Sequence, residues 1–108
     1  MNKREVAVVE EVVAEVRATM PGIVAGWQRV WVQFQSSAGY LSTRVMCDAA
    51  PVDAVRHRAL FVRFEACARR LRGAAAHDTP AFVSCDIEVV AGGAHTARVA
   101  RDPSVWFA

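Results

Sequence analysis

The sequence predicts an α+β fold: helix, hairpin, helix, hairpin, with a four-stranded, mainly antiparallel sheet packed against a long central helix and an N-terminal helix. Three observations carry this expectation. Between Asp53 and Gly73, Leu60, Phe64, Cys67 and Leu71 step by four, three and four, one stripe of a helix at about 100° per residue. Trp27 to Gln35 and Tyr40 to Asp48 alternate apolar and polar side chains across the short polar Ser36–Gly39 segment, as an antiparallel hairpin does. Phe82 to Ala91 alternates again, and Gly92-Gly93 turns it back into a run from His95 to Arg101.

Each element has its own local reason. In the first helix Val6, Val9, Val13, Val16 and Met20 step by three and four from Glu5 onward. Valine favours strands, but the period holds for four turns and Pro21-Gly22 stops it. The glutamates of its first half suit the positive end of the helix dipole. In the first hairpin Val30, Val32, Phe34, Leu41, Thr43, Val45 and Cys47 face one way. Arg29, Trp31, Gln33, Tyr40, Arg44 and Met46 face the other. Ala49 to Val52 links to the central helix, with Asp53 as its N-cap and Gly73 just past its end. His77-Asp78 and Thr79-Pro80 mark a second linker. In the second hairpin Val83, Cys85, Ile87 and Val89 point inward, and Gly92-Gly93 supplies a turn that needs positive φ. The tail Val105-Trp106-Phe107 is apolar enough to pack on the domain.

Composition narrows the class. A chain of 108 residues forms one domain, 1–108, and its 54% hydrophobic content supplies a core without disulfides or metal. The net charge of +2 is too small to imply a nucleic-acid partner by itself. No apolar run approaches the roughly 20 residues that span a bilayer. Glu5, Glu10, Glu11 and Glu15 break any signal-peptide core, so the expected location is the cytoplasm. Cys47, Cys67 and Cys85 fall on inward positions and are expected as small buried hydrophobes. They form no ligand spacing with His57, His77 or His95, so neither metal nor cofactor is expected.

No catalytic constellation emerges. There is no nucleophile elbow, no glycine-rich phosphate loop and no carboxylate pair at clearly buried positions. Two binding signals remain. Trp31 and Tyr40 stand among Arg and Gln on a polar strand face, as anchors of a protein interface do. Six arginines against Glu65 from Arg56 to Gly73 make the central helix basic, with Arg56, Arg63 and Arg70 along one edge as a phosphate-binding alternative. Ala59, Val62 and Ala66 lie between the arginine rows, on a face that a partner or the first helix could cover.

The helix leading through Pro21-Gly22 into Trp27-Gln28-Arg29-Val30-Trp31-Val32, followed by hairpin, helix and hairpin, resembles the small YezG-type immunity proteins. In size and layout it is also similar to α/β immunity proteins of contact-dependent growth inhibition systems. The proline shortly before a tryptophan that opens the first strand is matched by Pro21 and Trp27; the acidic, tyrosine-rich strands are not. The resemblance implies a cytoplasmic antitoxin that binds a cognate toxin domain, often a nuclease, in a 1:1 complex and blocks its active site. It carries no catalytic residue. A nuclease groove is basic, so Asp78, Asp86 and Glu88 are the expected contact acids, in a segment whose four acids outnumber Arg98 and Arg101. Trp31 and Tyr40 are the expected anchors; alternatively the toxin presents acids to the arginine rows of the central helix. A nucleic-acid-binding helix through Arg56, Arg63 and Arg70 is the alternative.

Overall fold

A computed structural model describes residues 1–37, 40–74 and 84–101. The protein is α+β: α1 (Lys3–Thr19), a 3-10 turn (Met20–Gly22), β1 (Arg29–Ser37), β2 (Tyr40–Cys47), β3 (Ala50–Pro51), α2 (Arg58–Gly73), β4 (Ser84–Val90) and β5 (His95–Ala100). The strands form one antiparallel sheet in the order β3-β2-β1-β4-β5. This corrects the four-stranded helix–hairpin–helix–hairpin expectation. The first hairpin extends into a three-stranded meander, because Ala50 and Pro51, expected in a linker, pair with Cys47 and Met46. Nor is α2 a long central helix: its 16 residues lie beside the 17 of α1.

The turn that makes β3 possible is unusual in composition. Asp48 (φ 50°) and Ala49 (φ 67°) both occupy the left-handed region that a two-residue hairpin turn requires, with no glycine present. The Asp48 carboxylate holds it, accepting from the backbone N–H groups of Gln28 (3.0 Å) and Arg29 (2.9 Å). Ala49 has no such compensation for its strained backbone. Ala49→Gly is therefore expected to raise stability by roughly 0.5–1 kcal/mol, read as a higher urea midpoint at constant m-value. Gly92 and Gly93, by contrast, are not at positive φ; the β4–β5 turn closes with Gly93 N–H on the Val90 carbonyl (3.2 Å).

Both helices cover one face of the sheet. Val8, Val9, Val12, Val13 and Val16 of α1 and Leu60, Phe64, Ala68 and Leu71 of α2 are buried against Val30, Val32, Phe34, Val45, Ile87 and Val89. Each such burial contributes on the order of 2 kcal/mol. The α1 stripe sits to one side of the expected one, since Val8 and Val12 are inside while Val6 is exposed. Cys47 and Cys85 are buried and Cys67 is half-buried; burial pushes the Cys85 thiol up to about 12. The helix-facing Thr43 hydroxyl has no hydrogen-bond partner among the described residues. Thr43→Val keeps the shape and removes the orphaned group, and is expected to add about 1 kcal/mol, measured as a raised Tm.

Asp53 does not cap α2. Its carboxylate accepts from the N–H groups of Val55 (2.8 Å) and Arg56 (3.2 Å), which caps a separate turn and delays the helix to Arg58. These two bonds pull the Asp53 carboxyl below its usual range. Arg56 therefore stands before the helix rather than on its arginine edge. The expectations for His77, Asp78, Thr79-Pro80, Val83 and the tail 105–107 lie outside the described residues. Among the described residues no helix is long and apolar enough to cross a membrane.

Candidate functional site

With both helices behind the sheet, the alternate side chains of β1, β2, β4 and β5 form an open face. Its strands fix the rungs by register. Met46, Trp31, Glu88 and Thr96 make one row; Arg44, Gln33, Asp86 and Arg98 make the next. These residues line a concave trough of about 960 Å³, with Asp48 and Ala49 at its rim. Trp31, at the middle of it, is 55% exposed. A large aromatic held on a central strand and left half-open has the form that anchors of protein interfaces take.

The charges of the trough are arranged in an order that sequence spacing does not reveal. Glu88 is paired with Arg29 (2.9 Å), and Asp86 accepts from the Gln33 side-chain amide (2.8 Å). Asp48 is occupied by backbone N–H groups. Arg44 and Arg98, at the two ends of one row, make no ion pair with a described residue. The two carboxylates expected as a contact patch are thus already engaged, Glu88 by an ion pair and Asp86 by a neutral amide, and the three arginines and three carboxylates lining the trough balance.

The structure brings three of the five expected contact residues together: Trp31, Asp86 and Glu88. Tyr40 shares the open face and is 79% exposed, but it lies six residues along β2 from Met46, the partner of Trp31. At about 3.3 Å per residue that is roughly 20 Å away. Asp78 lies outside the described residues. Sequence reasoning missed Arg98 as a member of the site; its position in the alternating run from His95 was the available signal. Arg44 and Met46 were on the expected face but not singled out.

The alternative basic patch does not assemble. Arg63 is ion-paired with Glu15 and Arg70 with Glu11, both across the α1–α2 interface. The Arg70 hydrogen bond lowers the Glu11 carboxyl below its usual range. Arg69 pairs with Glu65 one helical turn away (3.5 Å). Arg72 donates to Ser36 Oγ (2.9 Å) and steadies the β1–β2 end of the sheet. Between these rows Ala59, Val62 and Ala66 are exposed; α1 packs elsewhere.

Among the described residues no group of three or more His, Cys, Asp or Glu could hold a metal ion. His57 is half-buried at the N-terminal boundary of α2, and His95 is exposed at the start of β5. No protein-family description matches the chain. No curated protein matches its sequence.

Proposed function

We propose that this chain is a non-catalytic protein-binding domain of the immunity class, which acts in the cytoplasm by binding a cognate bacterial toxin domain and neutralising it. The observation that carries the reading is the half-exposed Trp31 at the centre of an open sheet face, with both helices packed on the other side. The resemblance of the Pro21-Gly22 and Trp27–Val32 segment to YezG-type immunity proteins lends it a class of partner, often a nuclease. The trough's charges bear on how such a partner would be held. Arg44 and Arg98 make no ion pair with a described residue, and Asp86 and Asp48 are held only by neutral donors, so the trough presents both signs of charge. A toxin surface of mixed charge, with an apolar side chain on Trp31, fits this layout. The Arg-rich helix is set aside as a nucleic-acid site because Arg63 and Arg70 are neutralised by α1.

Capture of the tagged chain from its native lysate at moderate salt, with mass spectrometry of the retained proteins, tests the reading. The expected result is a C-terminal fragment of a large exported protein, retained by the wild type. Retention of nucleic acid that salt releases would overturn it and return attention to α2.

A further inference from the structure

We propose that β5 is the pairing edge of a symmetric dimer, in which a second copy of this chain adds its own β5 antiparallel to make one ten-stranded sheet. The parity of the hydrogen-bond ladder says which groups are available. Ala91 N–H bonds the Gln28 carbonyl (2.9 Å), so the odd-numbered residues of β4 bond to β1. Val90 N–H bonds the Ala94 carbonyl (3.4 Å), so the even-numbered residues of β4 and β5 bond each other. His95, Ala97 and Val99 consequently direct their backbone N–H and C=O groups away from the sheet. No described residue takes them up.

The two edges of the sheet are treated differently. On the far side β3 covers the end of β2 and ends in Pro51, which blunts further pairing. The β5 edge has no proline and no bulge: its six residues pair in unbroken register with β4, from Ser84–Ala100 to Val89–His95. Its one fully charged side chain, Arg98, projects onto the open face rather than guarding the edge.

That edge is complementary to itself. Antiparallel partners must both offer outward groups, so a two-fold axis can sit on Ala97, with His95 opposite Val99 of the second copy at either end. All the outward groups of the three odd residues are then used. A one-residue slip would place inward-bonded residues on the seam, and a two-residue slip would leave outward groups unpaired. The side chain on the axis is a small alanine. On the open face Thr96 lies opposite Arg98 of the second copy, and Thr96 is itself paired with Glu88. A second copy therefore fits the edge by register and by bulk. The proposal is independent of the toxin reading: dimerisation is measured on the purified chain alone.

Sedimentation velocity over a wide concentration series is the test, with two variants. The wild type is expected at twice the chain mass. Ala97→Pro removes an N–H that points away from β4, so it is expected to be monomeric with an unchanged circular-dichroism spectrum. Ala97→Cys keeps the N–H and places two thiols on the axis, at the roughly 5.5 Å Cα separation of a bonded antiparallel pair, which a disulfide spans. It is expected to oxidise to a covalent dimer that the wild type does not form, and this readout holds even if Ala97→Pro unfolds. A wild type that remains monomeric throughout, or a dimer whose Ala97→Cys variant fails to cross-link, overturns the proposal.

Discussion

Glu5→Ala is expected to destabilise the fold by about 3 kcal/mol, a fall in Tm of roughly 10–20 °C for a chain of this size. Glu5 is a charged side chain with only 1% of its surface exposed, and three interactions meet on it. Its N–H bonds the Asn2 side chain (2.8 Å) while its carboxylate accepts from Asn2 N–H (3.0 Å), a capping box that starts α1. The same carboxylate takes both oxygens to the Arg101 guanidinium, at 2.7 and 2.6 Å. Asn2 in turn donates to the Ala74 carbonyl (2.8 Å), so the start of α1, the end of α2 and the end of β5 meet at one corner. Truncation removes the acceptor and leaves the Arg101 pair broken. Glu5→Gln separates the contributions: it retains an acceptor for the cap and loses the charge, so it is expected to fall between wild type and Glu5→Ala.

The same group sets an acid limit. Burial pushes the Glu5 carboxyl up, but the Arg101 hydrogen bond, the Asn2 backbone bond and the Arg101 charge outweigh it, and the net shift is below the ordinary value of 4.5. A carboxyl lowered by folding stabilises the native state above its unfolded value. That contribution is lost as pH falls through the lower, folded value. Unfolding curves are therefore expected to show stability declining below about pH 4.5, with a shallower decline in Glu5→Gln. An equal pH dependence in the two proteins would show that Glu5 is not the group responsible.

Trp31→Ala is expected to leave Tm nearly unchanged, because its side chain is half in solvent and touches the helix-free face. Its expected effect is on the partner: a loss of about 2 kcal/mol or more, roughly 30-fold in Kd, since truncated central aromatics dominate protein interfaces. Titration calorimetry with the captured toxin domain measures it. Tyr40→Ala, some distance along the same face, serves as the contrast and is expected to change Kd much less. Equal losses at the two positions would move the contact surface toward the β1–β2 end, and no loss at Trp31 would remove the trough as the binding site.

Much of this architecture was legible because it is written in local periods. The alternation of β1, β2 and β4, and the Leu60, Phe64, Leu71 stripe, depend on neighbours a few residues away, and their described inward positions are buried except for the half-buried Leu41 and Thr43. Where the reading failed, the deciding interaction was not local or its residue was atypical. The turn into β3 uses Asp48-Ala49 where Asn-Gly would have announced it, and the support for Asp48 comes from Gln28 and Arg29 across the sheet. Asp53 has the composition of a helix cap but caps the preceding turn. Nothing in the spacing sets Glu5 apart from Glu10, Glu11 and Glu15, and the return of Arg101 from the far end of the sheet explains its burial. The candidate site divides the same way. Trp31 followed from alternation, but the pairing of Glu88 with Arg29 and of Asp86 with Gln33 depends on which strands are neighbours.

The segregation of the sheet into a covered and an open side also bears on how this chain can change over time. Along β1 the inward residues Val30, Val32 and Phe34 answer to the two helices, while the intervening Arg29, Trp31 and Gln33 answer to whatever meets the open side. Substitutions at the second set change the chemistry of the open side and fall mostly within about half a kcal/mol in stability. The open side can therefore vary by single substitutions, each leaving a foldable chain, without disturbing the valine-rich interior.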